Sequence, residues 1–111
     1  MGVQKDAGEL LLFFYDELIN KNKRQVGTQE VINETGWDSN KINHAYDYLN
    51  DLKILLSGGG IGNINGANLF FILRLFPEAI NIIENQPEFK KNFGFEVNLG
   101  LLKFSWGAEE R

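Results

Sequence analysis

The feature that most constrains this sequence is a change of period. From residue 39 to 53, Ile42, Ala45, Tyr46, Leu49 and Leu52 recur at offsets of three, four, seven and ten, while Asn40, Asn43, His44, Asp47 and Asp51 fill the opposite side. That spacing is the repeat of an amphipathic helix with one buried face. Asp38 or Ser39 can cap its first turn. After Lys53 the helical repeat stops. Ile54-Leu55-Leu56 reads as a short strand and Leu69-Phe70-Phe71-Ile72-Leu73 as its return. Between them Ser57 to Asn68, rich in Gly and Asn and without charge, favours turns and mobility. A helix running directly into a hairpin restricts the chain to an α+β class, mainly α with a small β-hairpin.

The remaining segments fit that class. Residues 4–20 predict a helix in which Leu10, Leu11, Phe14, Tyr15 and Leu18 share one side and Asp6, Glu9, Asp16 and Glu17 take the others. Leu12, Phe13 and Ile19 widen its apolar surface, so partners are expected on more than one side. The polar run Asn20 to Gln25 and then Gly27 end it. Thr28 is suited to cap a short helix through Glu34, with Val31 and Ile32 inward, and Gly36 to a left-handed stop before Trp37. Pro77 and Glu78 open a fourth helix carrying Ile80, Ile82 and Ile83, which Asn85 to Pro87 terminates. From Phe93 to Trp106, Phe95, Val97, Leu99, Leu102, Phe104 and Trp106 alternate with polar residues, as one bent strand or two short ones. Residues 1–86 are thus expected to form one domain and residues 87–111 a β-like C-terminal extension, a candidate dimerisation element.

Composition narrows the chemistry. The chain of 111 residues has no Cys and one His, which excludes disulfides, thiolate metal sites, cysteine nucleophiles and multi-histidine metal centres. Gly58-Gly59-Gly60-Ile61-Gly62 lacks the Gly-Lys-Ser/Thr ending and the helix that a phosphate loop needs, so it reads as a flexible hairpin tip. His44 has no Ser or Cys beside it to activate, and Glu34/Asp38 and Asp47/Asp51 sit at solvated helical positions. The expectation is a non-catalytic protein with no metal and no cofactor. No apolar run approaches the ~20 residues of a membrane span, and Gly2 to Glu9 carries acids and no basic leader pattern. A cytoplasmic chain that does not engage a membrane is therefore expected.

In order, the elements are helix, short helix, tight turn, amphipathic helix, hairpin and helix. The middle of the series is Gln29-Glu30-Val31-Ile32-Asn33-Glu34-Thr35-Gly36-Trp37 running into Asp38-Ser39-Asn40-Lys41-Ile42-Asn43-His44-Ala45. Leu49-Asn50-Asp51-Leu52-Lys53-Ile54-Leu55 leaves the helix, and Phe71-Ile72-Leu73 leads to Pro77-Glu78-Ala79. From Gly8 to Asn85 this resembles the winged helix-turn-helix family, here with a short β-rich C-terminal extension. The resemblance implies a small double-stranded-DNA-binding protein, a transcriptional regulator whose helix 38–53 lies in the major groove. Ser39, Asn40, Asn43 and His44 would then face base edges, and an Asn suits adenine. Thr28 and Gln29 would hold a phosphate, with Lys21, Lys23, Arg24 and Lys41 adding charge.

From the residues themselves, Asn20 to Gln29 carries three positive charges and no negative one, in a chain of net charge −4. Phosphate contact and plain solvation both account for that. The overall charge, Asp47 on the outward stripe and the uncharged hairpin favour an alternative: a non-catalytic protein-interaction module that uses the same fold without touching nucleic acid. In either case a homodimer is expected, because an unpaired apolar edge is a liability for a monomer.

Overall fold

The computed structural model describes residues 2–97. Their architecture is α+β, five helices around a three-stranded antiparallel sheet: α1 (Val3–Tyr15), β1 (Val26–Gly27), α2 (Thr28–Thr35), α3 (Ser39–Leu52), β2 (Leu55–Ile64), β3 (Ala67–Leu75), α4 (Pro77–Ile83) and α5 (Gln86–Phe93). The strands lie in the order β1-β3-β2.

Helix α1 runs through the middle of the core. Leu10 to Leu18 are all buried, and α3, α5 and β3 pack around it, as its wide apolar surface requires. Three aromatic rings join α1, α3 and β3. Phe14 meets Phe70 edge-on at 6.1 Å, an arrangement aromatic quadrupoles favour, and Tyr46 stacks on Phe70 at 4.2 Å.

Beyond Tyr15 the helix widens into a π-helical turn, Asp16–Asn20, closed by Lys21 N–H on the carbonyl of Asp16 at 2.9 Å. The extra residue per turn rotates the helix end. Asp16 and Glu17, expected on the outer faces, are instead buried.

Helix α2 begins one residue earlier in its cap than expected. Gly27, not Thr28, is the N-cap, and Glu30 Oε1 reaches back to accept from its N–H at 2.8 Å. The glycine lets the chain pass close to the Phe71 ring, where a Cβ would lie at a tight 3.0 Å. Gly36 ends α2 at φ 69°, and Asp38 caps α3 by accepting from Lys41 N–H at 2.9 Å.

The segment from Ser57 to Asn68, expected to turn and move, is a β-ribbon. Both strands continue to Ile64 and Ala67, and the turn is confined to Asn65-Gly66, with φ 53° and 93°. Two successive left-handed residues make the tight turn whose twist matches that of the flanking strands, and Asn-Gly supplies it. A bulge sets Gly60, Ile61 and Gly62 against Leu69 alone.

Residues 86–93 form α5, where a β-like extension is expected from residue 87 onward. Asn85 caps it through Glu88 N–H at 3.2 Å, and Pro87 lies in the first turn, where its missing donor costs nothing. Phe89 and Phe93 bury against α1 at Gly8, where a Cβ would come within 2.7 Å of Phe93. The strand expected from Phe93 does not form there: Phe93 closes α5, residues 94–97 are irregular with Val97 buried, and the rest of the alternating pattern lies outside the described residues.

Candidate functional site

The residues expected to contact DNA come from three places: the loop after α1, the start of α2 and the outward side of α3. In the loop, Lys21 and Lys23 point back at the π turn. Lys21 Nζ lies 2.8 Å from Glu17 Oε2 and 3.7 Å from Asp16, while Lys23 Nζ pairs with Glu17 Oε1. Burial alone would raise the Glu17 pKa. The hydrogen bonds and charges of both lysines outweigh it and hold the carboxyl below its ordinary value. Lys21 is raised in turn, chiefly by its hydrogen bond to Glu17. The apparent basic cluster is thus largely neutralised by two carboxylates that precede it. Arg24 alone of the three is exposed with no ion pair or hydrogen bond among the described residues.

At the start of α2, Thr28 is fully buried. Its hydroxyl donates to the Asn68 carbonyl at 2.8 Å and accepts from Phe70 N–H at 2.9 Å. Its hydroxyl fastens α2 to β3, which leaves any phosphate contact at this end to the backbone amides that open the helix. Gln29 is exposed and bonds Asn33 along the helix at 2.9 Å.

On α3 the polar side chains divide into two sets. Asn43 is spent on the hairpin: its amide donates to the Gly66 carbonyl at 3.1 Å and accepts from Asn68 N–H at 2.8 Å. One turn earlier, Ser39 packs so closely on Gly66 that a Cβ there would fall 3.0 Å from its Oγ. The hairpin turn therefore sits on the first turns of α3. Lys41 faces the other way, with Nζ 4.3 Å above the Trp37 ring and 3.8 Å from Asp6. The exposed stripe that remains is Asn40, His44, Asp47 and Asp51, two carboxylates and no lysine or arginine.

Where the hairpin turn meets α2 and α3, a shallow groove of about 300 Å³ is lined by Ile32, Trp37, Ser39, Ile42, Ile64 and Asn65, among others. Among the described residues no group of three or more His, Asp or Glu is placed to hold a metal ion, and no helix is long and apolar enough to cross a membrane.

Two structural features of this region went unread in the sequence: the docking of Asn43 on the hairpin and the length of the hairpin itself. Asn43 was legible as an outward polar residue, but its partner lies 23 and 25 positions away. The Asn65-Gly66 pair was the available signal for a long hairpin. Comparison with protein-family models, with curated proteins and with solved structures finds no match to this chain.

Proposed function

We propose that the chain is a non-catalytic protein-interaction module in a winged-helix-type arrangement, in which α3 does not read DNA. The order of helices and strands and the sheet order β1-β3-β2 support the arrangement. The observation that carries the functional reading is the double hydrogen bond of Asn43 to the hairpin. Of the two asparagines suited to adenine, Asn40 stays exposed, whereas Asn43 bonds the hairpin through both the N–H and the oxygen of its amide, and opening it would undock the hairpin. The acidic stripe beside it and the engagement of Lys21 and Lys23 by Glu17 point the same way. A DNA-binding regulator is the second reading, favoured by one observation: exposed Arg24 and Gln29 flank the start of α2.

Fluorescence anisotropy with mixed-sequence duplex DNA separates the two. The module gives no saturable signal even at low salt. A regulator touching about four phosphates would bind with a log–log salt slope near −3.6, and lose roughly a hundredfold in affinity between about 50 and 200 mM salt. That slope, reduced by Arg24→Glu, would overturn the proposal.

A further inference from the structure

Asn65-Gly66 is the one place in the chain where an asparagine precedes a glycine. That pair has a chemistry of its own. The backbone nitrogen of the second residue can attack the side-chain carbonyl of the first, and a glycine has no Cβ to bar the approach. Other asparagines are shielded from this reaction. Asn33, Asn50 and Asn81 lie inside helices, where the next N–H is held by the helical ladder, and Asn63 precedes a β-branched isoleucine.

Both reacting groups sit at the solvent-facing tip of the hairpin. Asn65 and Gly66 are exposed, and the Asn65 side-chain amide makes no hydrogen bond among the described residues. The nucleophile, in contrast, is held. Gly66 N–H donates to Asn63 Oδ1 at 3.0 Å, and the Gly66 carbonyl accepts from the Asn43 amide at 3.1 Å. Asn43 also accepts from Asn68 N–H at 2.8 Å. Closing a ring between Gly66 N and Asn65 Cγ rotates the peptide between the two residues. It must therefore break the bond to Asn63 and lift the turn from α3.

We propose that Asn65 is a site of spontaneous deamidation, timed by the docking of the hairpin turn on α3. Gly66 N gives up its proton to solvent and bonds to Asn65 Cγ, and the side-chain nitrogen takes up a proton and leaves as ammonia. Water then opens the succinimide at one of its two carbonyls. Opening at Cγ leaves an aspartate at position 65, and opening at the backbone carbonyl leaves an isoaspartate. Water is the only co-reactant, and nothing is oxidised or reduced.

The two products act differently. Aspartate-glycine suits the same left-handed turn, with φ 53° and 93°. It adds a carboxylate to the groove wall that position 65 shares with Asp38. Isoaspartate instead lengthens the backbone by a methylene group. The tight turn no longer fits, and Gly66 and Asn68 lose their common register with Asn43. A docked hairpin becomes a released one, whatever partner the protein binds.

Incubating the folded chain in mildly alkaline water enriched in heavy oxygen, followed by peptide mass spectrometry, tests the proposal. Label should enter position 65 before any other asparagine, mostly as isoaspartate, and more slowly than in the chain unfolded by guanidinium chloride. Asn43→Ala should speed the folded reaction about fivefold, the rise in open turn expected from losing one such tether. The unfolded rate should not change. Asn63→Ala frees the Gly66 N–H at the exposed tip and leaves α3 untouched. It should also speed the reaction, which guards against a general loss of folding in Asn43→Ala. Amide exchange at Gly66 and Asn68 should quicken in the isoaspartate product and not in Asn65→Asp. No label at position 65 while the unfolded chain converts would overturn the site, as would earlier label at another asparagine. Unchanged folded rates in both variants would overturn the timing by docking.

Discussion

The loop after α1 and the β2–β3 hairpin invert each other. The loop is the most basic stretch of an acidic chain, yet two of its three cations are held by a carboxylate that is 1% exposed. The hairpin carries a single charge, Arg74 near its base, yet its outer strand β2 is a sheet edge, paired only with β3 among the described residues. A charge count therefore misjudges both. Ionic side chains near a buried opposite charge are consumed by it, because leaving that charge unpaired costs more than releasing the lysines gains. Backbone groups at a sheet edge keep their capacity whatever the side chains are.

The largest expected effect breaks the loop side of this contrast. Lys21→Ala/Lys23→Ala strands Glu17 as a buried, uncompensated carboxylate and should cost roughly 3 kcal/mol in urea unfolding. Adding Glu17→Gln should recover part of that loss. If the double variant is as stable as the parent, the cluster is an ordinary solvated loop and the comparison fails.

The same cluster sets an acid limit. Because the Glu17 carboxyl is held below its ordinary value of 4.5, the folded state favours the ionised form. Its stabilisation is complete above about pH 4.5 and is lost as pH falls through the lower folded value. Urea midpoints measured downward from neutral pH should decline less steeply in Glu17→Gln. At the alkaline end, burial and a 2.8 Å hydrogen bond to Glu84 push the Tyr15 hydroxyl up to about 12 from 10.0. The folded state there favours the protonated form, so stability present below pH 10 is lost between 10 and 12. Tyr15→Phe should flatten that decline.

On the hairpin side, Thr28→Val removes the hydroxyl that serves Phe70 N–H and the Asn68 carbonyl. It should destabilise by about 1–3 kcal/mol, because a buried donor is left without a partner. Asn43→Ala cuts the other tether and should cost about 1 kcal/mol. Faster amide exchange confined to Gly66 and Asn68 would locate that loss at the turn, whereas a uniform increase would not. Smallest of all, Asn40→Ala and His44→Ala should each stay within about 0.5 kcal/mol of the parent. A larger loss at either would show that the outward stripe is not simply solvated.

Much of the fold was legible in the sequence. On the α3 stripe Ile42, Ala45 and Leu49 are buried and Tyr46 half-buried, as the period requires, whereas Leu52, expected inward in the last turn, is exposed. What went unread has identifiable causes. Asn85 and Pro87 look like a stop, but Asn85-Gln86-Pro87-Glu88 is equally a cap followed by a first turn, and Phe89 and Phe93 then find α1 beneath them. The glycines of β2 hide a strand from any propensity scale, and the hairpin forms because Asn65-Gly66 turns it and Asn43 holds it. For the candidate site, residue types and outward positions were readable, but the engagement of Asn43, Thr28, Lys21 and Lys23 was not.

By itself the sequence determined which segments repeat with the period of a helix, where α2 stops at Gly36, and that the span from Ile54 to Leu73 carries no charge. Those are local properties, fixed by side-chain spacing and by backbone freedom within a few residues. Only the tertiary structure decided which polar groups remain available. Glu17 claims its lysines through a π turn, and the hairpin claims Asn43 and Thr28 from about 25 and 40 positions away. A hydrogen bond depends on distance in space, and no period in the sequence records it.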